Sequence, residues 1–213
     1  MNLDSKSLLL YAVTDRAWLH ERKLSDDVEK ALLGGATFVQ LREKDASFEE
    51  FLEQAKEVKE VCKKYNVPFV INDNIEVALA VDADGVHVGQ SDMETGSVRQ
   101  KLGKDKIIGV STRTVEEAQL AQDRGADYLG VGAMFQTSTK LDAADVTFEE
   151  LKAICGAVEI PVVAIGGISH HNVMELEGTG IDGVAVVSAI FAAEDIQKAT
   201  KEMKQNLKNV VQS

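Results

Sequence analysis

A short segment that alternates polar side chains is the first place where this sequence could do chemistry. Gln40, Arg42 and Lys44 alternate with Leu41 and Glu43. On an extended chain, residues at i, i+2 and i+4 share one face, so the three polar side chains are predicted to point into one volume. Two cations beside an amide suit a phosphate or diphosphate ligand. A solvated strand end is the alternative, and it accounts for one charged residue more easily than for three on a common face.

Two carboxylates are candidates for a metal site. Asp73 follows Asn72 at the end of one apolar run, and Asp92 follows the next. Mg²⁺ prefers oxygen ligands and is often held by one or two carboxylates together with substrate phosphate. We therefore expect Asp73 and Asp92 to share one Mg²⁺. The alternative for Asp73 is a helix N-cap or an Asx turn, and the alternative for Asp92 is similar.

Two further segments could bind anions. One is a hydroxyl-rich loop that ends in a cation and consists of Thr137, Ser138, Thr139 and Lys140. The other combines Gly166 and Gly167 with a later pair, Val187 and Ser188, and it resembles the phosphate cradle that follows strands seven and eight of a barrel. A polar surface loop and ordinary glycine turns are the respective alternatives.

The elements that must position these residues are short apolar runs separated by amphipathic segments. Runs rich in β-branched residues and apolar throughout indicate parallel strands buried on both faces. Eight βα units in 213 residues predict a single-domain TIM (β/α)8 barrel over residues 1–213. In such barrels the active site lies at the carboxyl ends of the strands, which is where every polar motif above falls. The predicted strands are Leu8–Val13, Phe38–Leu41, Phe69–Ile71, Gly85–Val88, Ile107–Val110, Tyr128–Val131, Val162–Ile165 and Gly183–Val187.

A weak internal repeat supports this count. A small residue, a tight turn and a new strand recur at intervals of roughly two βα units. Capping boxes are predicted at Ser47, Thr114 and Thr147, each with a glutamate three residues later. A helix is also predicted over His170–Glu177. The copies of the repeat begin near Gly35, Ala83, Gly125 and Gly180.

Composition excludes several classes of function. A net charge of −12 disfavours nucleic acid and anionic lipid as partners. No apolar run approaches the roughly 20 residues that span a bilayer. Cys62 and Cys155 form no CxxC motif or disulfide framework, which favours a reducing cytoplasm. His87, within a strand, is interpreted as a packed, hydrogen-bonded residue. The sequence does not indicate an oligomeric state.

Taken together and in order, the motifs resemble the thiamine-phosphate synthase family from Tyr11 to about Ala189. The segments that carry the resemblance are VQLREK at 39–44, IND at 71–73, DGVHVGQSD at 84–92, IGVST at 108–112, GADYLGVGAMF at 125–135, TSTK at 137–140, PVVAIGGI at 161–168 and DGVAVVSAI at 182–190. The family pattern differs at a few positions. Prolines are frequent there at 136 and 138, a lysine at 141 and a histidine at 113.

The resemblance implies a transferase that joins two small phosphorylated substrates. A 4-amino-2-methylpyrimidine carrying a 5-diphosphomethyl group loses pyrophosphate, and the ring nitrogen of a thiazole phosphate attacks the exposed methylene. The resemblance assigns Gln40 through Lys44 and Asn72 to the pyrimidine diphosphate, and Ser111 to the pyrimidine. Lys140 is assigned to pyrophosphate, and Arg42, Lys44, Ser111 and Lys140 are expected to serve catalysis. The thiazole phosphate is assigned to Thr137, Ser138, Thr139, Gly167, Val187 and Ser188.

Three other interpretations compete with the synthase. A sister group resembling thiazole tautomerase, or a regulator of that shape, keeps the barrel but has lost parts of the diphosphate and metal set. A non-catalytic barrel could sense thiazole phosphate without Mg²⁺. An unrelated phosphate-binding barrel enzyme would leave the paired aspartates unexplained.

Overall fold

Eight parallel strands close into one barrel. The computed structural model describes residues 3–19, 21–89, 97–136 and 146–211, with the backbone alone at Ser97. Each strand pairs with the next along the chain, and β1 pairs with β8 through Tyr11 and Ala185. The strands are β1 Leu10–Val13, β2 Phe38–Leu41, β3 Phe69–Asn72, β4 Gly85–Val88, β5 Ile107–Thr112, β6 Tyr128–Val131, β7 Val162–Ile165 and β8 Gly183–Val186. The predicted TIM barrel is confirmed.

Two apolar layers explain why the strands are hydrophobic on both faces. Alternate residues point inward and outward along a strand. Tyr11, Phe38 and Tyr128 pack with other inward residues inside the barrel. Outward residues such as Leu10 and Leu41 join the larger core between the barrel and its helices. The inner layer fills the lower barrel and leaves the carboxyl ends of the strands open.

Helices follow most of the strands and pack around the barrel. Capping boxes start two of them, at Ser47 with Glu50 and at Thr147 with Glu150. Thr114 accepts only from the Glu117 N–H, so that cap is half a box. The helices are α1 Leu24–Gly34, α2 Phe48–Lys64, α3 Ile75–Ala80, α4 Ser97–Leu102, α5 Val115–Asp123, α6 Phe148–Ala157, α7 Ser188–Phe191 and α8 Ile196–Val211.

One predicted element is wrong in type and another in where it begins. The segment His170–Glu177 contains a 3-10 turn at Val173–Leu176 in place of an α-helix. There the Asn172 side chain accepts from the Ser169 N–H, a local bond that competes with helical bonding. The strand predicted from Leu8 starts at Leu10, because Ser5–Leu8 forms a 3-10 helix capped by Asp4.

The copies of the internal repeat lie at the amino ends of the strands. We call this lower edge of the barrel the floor. The residue before each even-numbered strand accepts a hydrogen bond from a backbone N–H at the start of the preceding strand. Its own N–H donates back to the carbonyl of that same partner. Each copy therefore joins two strands through a reciprocal pair of bonds. The side-chain bonds join Thr37 to Leu10, Asp84 to Phe69, Asp127 to Ile108 and Asp182 to Val162, at 2.7–2.9 Å.

Across the described ranges, the structure contains no helix with the combined length and apolar character needed to cross a membrane.

Candidate functional site

A cavity of about 410 Å³ lies at the carboxyl ends of the strands, and all eight strands or the loops after them contribute to its wall. Seven of the predicted site residues line it. The cavity therefore gathers polar groups that are separated by more than 140 residues of sequence. The seven are Gln40, Arg42, Asn72, Ser111, Gly167, Val187 and Ser188.

The segment after β2 divides between this cavity and a second one. Arg42 lines both, whereas Glu43 and Lys44 line only the adjacent hollow of about 310 Å³. The strand ends at Leu41, and the chain bends at Lys44, so the extended alternation does not reach that far. The expectation that Gln40, Arg42 and Lys44 share one face therefore holds only for the first two. The Leu41 side chain is buried in the outer core, so only its backbone could face a ligand.

Arg42 is held by the loop after β1. Its guanidinium donates to the Asp15 carboxylate at 3.0 Å, and the two side chains are 14% and 18% exposed. The Arg42 N–H donates to the buried Thr14 hydroxyl, and the Thr14 N–H donates to the Gln40 carbonyl. Together these hydrogen bonds fix the direction in which the Arg42 side chain points. A guanidinium has five N–H donors, so one carboxylate leaves several for an anion.

Glu43 is paired away from the main cavity. Its carboxylate accepts from Arg16 at 3.0 Å and is only 3% exposed. Burial raises the pKa of the Glu43 carboxyl above its ordinary value, although Arg16 acts in the opposite direction. Glu43 thus joins the loops after β1 and β2, beside the hollow that holds Lys44.

Asp73 stands at the rim and does not line the main cavity. Its side chain is exposed and accepts from the Asn72 amide at 2.6 Å. The cap of the next helix is Asn74, which accepts from the Val77 N–H, so the N-cap alternative for Asp73 is wrong. The backbone of Asp73 is left-handed, with φ at 58°. A carboxylate and an amide oxygen at this rim are oxygen donors of the kind that Mg²⁺ prefers.

Five predicted site residues lie outside the described residues. They are Asp92, Thr137, Ser138, Thr139 and Lys140. Among the described residues no cluster of three His, Cys, Asp or Glu side chains could hold a metal ion. The predicted Mg²⁺ pair therefore stays a prediction.

The part of the cavity wall that follows β7 and β8 is a cradle made of backbone. Gly166 and Gly167 are both left-handed, with φ of 95° and 64°. A Cβ on Gly167 would lie 2.5 Å from the Gln136 carbonyl oxygen. The N–H groups of Gly167 and Ser188 donate no hydrogen bond to another described residue. Backbone N–H groups of residues that line one cavity, with no acceptor among the described residues, suit a phosphate.

Asn172 braces the cradle, and sequence reasoning missed it. Its amide nitrogen donates to the Gly167 carbonyl at 3.0 Å, and its amide oxygen accepts from the Ser169 N–H at 2.7 Å. His170 approaches the Ala189 carbonyl at 3.3 Å, which joins this loop to α7. An asparagine after a glycine pair and a serine was the available signal, since such side chains often bond to their own backbone.

A polar chain inside the barrel was also missed. His87 is 6% exposed and lies 2.9 Å from the Tyr128 hydroxyl and 3.0 Å from the Ser111 hydroxyl. The interpretation of His87 as a packed, hydrogen-bonded residue is confirmed, but the residue also lines the cavity. Tyrosine at an inward strand position was the signal for Tyr11 and Tyr128, because a buried phenol needs a partner.

Comparison with known proteins identifies relatives over nearly the whole chain. Residues 10–190 match the model of the family described as thiamine monophosphate synthase. The thiamine-phosphate synthase of Clostridium tetani is 53% identical over 194 residues, covering 91% of this chain and 93% of the relative. The enzyme of the same name from Methanobrevibacter smithii is 50% identical over 207 residues, 97% of each chain.

A solved structure agrees with these matches. The thiamine phosphate pyrophosphorylase of Pyrococcus furiosus superposes with a TM-score of 0.89 at 42% identity, covering 97% of this chain and 98% of that one.

Proposed function

The chain belongs to the thiamine monophosphate synthase family and is a transferase of thiamine biosynthesis, and we propose that it joins a pyrimidinylmethyl diphosphate to a thiazole phosphate in the cavity described above. The C–O bond between the pyrimidine methylene and the diphosphate breaks, and its electron pair leaves with pyrophosphate. The thiazole ring nitrogen forms the new C–N bond to that methylene, and the ring becomes a thiazolium. The product is thiamine phosphate.

One observation carries the proposal. A cationic side chain, Arg42, and a neutral backbone cradle at Gly167 and Ser188 line one cavity, and each is suited to an anion. β7 and β8 carry the cradle and β2 carries the cation, with only β1 between them. Two phosphorylated substrates could therefore lie side by side with their phosphates apart. Holding two reactants in line removes much of the entropic barrier to their reaction.

Arg42 and Lys44 act on the leaving group in this proposal. Charge develops on the diphosphate as the C–O bond breaks, and a positioned cation stabilises that charge more in the transition state than in the bound substrate. Arg42 is already oriented by Asp15, so little reorganisation is needed. Lys44 lies in the adjacent hollow, which gives the diphosphate room beyond the main cavity.

The remaining assignments are proposals of the same kind. Gln40, Asn72 and Ser111 would bind the pyrimidine diphosphate, and Val187 would complete the cradle. Lys140 would assist the leaving group. Thr137, Ser138 and Thr139 would contact the thiazole phosphate.

A magnesium ion fits the rim by the chemistry of its donors. Asp73 with Asp92 would hold it, and when bound it would neutralise charge on the diphosphate. Asp73 is exposed on the rim beside Asn72, where a hydrated ion has room for water ligands.

We also propose a cytoplasmic setting. Cys62 and Cys155 are free thiols. Burial raises their pKa values to about 12 and about 11. Both are thus inert thiols of the kind found in reducing compartments.

The test is product formation from the two purified substrates. Pyrophosphate release and thiamine phosphate should appear only when both substrates are present, and a metal chelator should suppress them. Omitting each substrate in turn is the control. Thiazole-phosphate binding without any product would reject the synthase in favour of the tautomerase or sensor alternatives. Full activity in the presence of the chelator would reject the Mg²⁺ site but not the synthase.

A further inference from the structure

A continuous chain of hydrogen bonds runs beneath the cavity and connects two residues of its wall. The Gln40 amide nitrogen donates to the Tyr11 hydroxyl, which lies 2.8 Å from the Tyr128 hydroxyl. Tyr128 lies 2.9 Å from Nδ1 of His87, and Nε2 of His87 lies 3.0 Å from the Ser111 hydroxyl. Gln40 and Ser111 therefore form the two ends of one buried relay.

The two phenols at the centre of the relay are fixed in place. Tyr11 is 1% exposed and Tyr128 is fully buried. Both rings pack edge-on against Phe38, with centroids 4.7 and 5.6 Å away. Burial raises the pKa of both phenols well above the ordinary value, so each keeps its proton at neutral pH. Each phenol thus has one proton to donate.

Counting those protons sets the direction of the relay. Tyr11 accepts from Gln40, so its own proton goes to Tyr128, its other hydrogen-bond partner among the described residues. Tyr128 then donates to Nδ1 of His87, which must be an acceptor. A neutral imidazole with Nδ1 as acceptor carries its proton on Nε2. That proton points at the Ser111 oxygen, so the Ser111 hydroxyl proton is directed away from His87.

The relay therefore determines which polar atoms the cavity wall offers. The side-chain amide nitrogen of Gln40 donates to Tyr11 below the cavity wall. The side-chain amide oxygen of Gln40 is therefore the acceptor on the cavity side. The Ser111 hydroxyl proton is directed away from His87, so Ser111 acts as a donor toward its partner outside the relay. This pattern matches a ring that has an amino donor and a ring-nitrogen acceptor. The corresponding oxo ring, with a carbonyl acceptor and a ring N–H donor, matches the reverse pattern.

Reversal of the pattern requires all five groups to change together. Turning the Gln40 amide alone would aim its oxygen at Tyr11 and leave the proton of His87 on Nε2. Changing the His87 tautomer alone would place two protons between His87 and Tyr128. Each partial change leaves a buried donor or acceptor unpaired, which is costly. The relay thus couples Gln40 to Ser111.

We propose that Tyr11 and Tyr128 are positioning residues which, through His87, fix the hydrogen-bond polarity of Gln40 and Ser111 and so select an amino-pyrimidine over its oxo counterpart. This inference rests on the proposed function, since it concerns one of the two substrates of that reaction. Neither tyrosine touches the substrate in this account.

The first test compares two substrates in conservative variants. Tyr128→Phe removes one hydroxyl and breaks the relay, so Gln40 and His87 can then reverse independently. We expect the preference in kcat/KM for the 4-amino pyrimidine diphosphate over its 4-oxo analogue to fall at least tenfold. Tyr65→Phe is the matched control, because its hydroxyl bonds to Glu29 far from the relay, and it should keep the wild-type preference.

Tyr11→Phe provides a second variant in case Tyr128→Phe does not fold, and it should also narrow the preference. Equal losses for both substrates, with the preference unchanged, would mean that the hydroxyls are merely structural and would overturn the proposal. An unchanged kcat/KM for both substrates would overturn it equally. If the wild-type protein forms no product, the proposed function has failed instead.

The second test does not depend on activity. Nitrogen-15 imidazole shifts of the wild-type protein report the tautomer of His87, with His87→Gln used to assign its signals. The relay predicts a proton on Nε2 and a bare Nδ1 that is hydrogen-bonded to Tyr128, and Tyr128→Phe should mix the tautomers. Any other pattern in the wild-type protein would overturn the proposal.

Discussion

The two ends of the barrel use similar polar residues in opposite ways. At the floor, Asp84, Asp127 and Asp182 accept bonds from backbone N–H groups of the neighbouring strand, so the chain itself supplies their partners. At the mouth, the N–H groups of Gly167 and Ser188 donate to no other described residue. Polar groups that are paired internally stabilise the fold, whereas groups held in place without a partner are available to a ligand. Mutations at the two ends should therefore separate stability from activity.

The largest effect is expected for Arg42→Ala. Loss of a positioned cation at the leaving group should lower kcat by about 100-fold or more. The free energy of unfolding should fall by about 1 kcal/mol, because the lost ion pair is mostly buried but borders a cavity from which water can reach the Asp15 carboxylate. Steady-state kinetics and urea unfolding measure the two quantities. Arg42→Lys is the control, since it keeps the charge without the planar fork. An active Arg42→Ala protein would remove this residue from the leaving-group site.

Asp127→Ala tests the floor. It removes the acceptor for the Ile108 N–H at 2.8 Å and for Arg99 at 2.6 Å. Leaving these donors unpaired should destabilise the protein by about 2 kcal/mol. The rate per folded molecule should not change. Asp123→Ala, at an exposed helix end, should shift unfolding by about 0.5 kcal/mol or less. A large loss of rate in folded Asp127→Ala protein would contradict the assignment of stability to the floor and of activity to the mouth.

Gly167→Ala tests the cradle. The new Cβ would lie 2.5 Å from the Gln136 carbonyl and 2.6 Å from that of Phe135, so the loop must shift. We expect KM for the thiazole phosphate to rise about tenfold, which corresponds to about 1.4 kcal/mol. Gly178→Ala is the matched control, because it is also left-handed but has open space around it. It should lose stability and keep its KM. Equal KM values in the two variants would argue against a phosphate at Gly167.

The smallest effect concerns a buried carboxylate at the mouth. The pKa of Glu43 is raised by burial, so the folded protein binds its proton more tightly than the unfolded chain does. Stability from this group is therefore full below the unfolded pKa and declines as pH rises through the folded pKa. Glu43→Gln should remove that decline and gain less than about 1 kcal/mol on wild type between about pH 4 and about pH 7. Glu60→Gln, on an exposed helix face, is the control. If Glu43→Gln is instead less stable than wild type at about pH 7, the ion pair with Arg16 outweighs the cost of burying the Glu43 carboxylate.

Periodicity predicts most of this fold because the physical cause is local. Short apolar runs such as Phe38–Leu41 and Val162–Ile165 form strands with the predicted bounds. His170–Glu177 differs because one side-chain bond, from Ser169 to Asn172, outweighs helical bonding. Sequence shows the presence of such a residue but not the partner that it selects.

The candidate site follows the same division. Gln40, Asn72 and Ser188 could be placed at one mouth, because strand ends in a barrel converge. Asp15 as the partner of Arg42 and Tyr128 as the partner of His87 could not be predicted, because each pair joins residues from separate βα units. The residues that position a site are thus harder to predict than the residues that form it.

The most direct test measures thiamine phosphate formation per folded molecule in Arg42→Ala and Asp127→Ala side by side, together with their urea unfolding curves. We predict that Arg42→Ala stays within about 1 kcal/mol of the wild-type stability but is slower by about 100-fold. Asp127→Ala should unfold at lower urea and retain the wild-type rate while folded. Loss of rate in both, or full rate in Arg42→Ala, would contradict the assignment of chemistry to the mouth and stability to the floor.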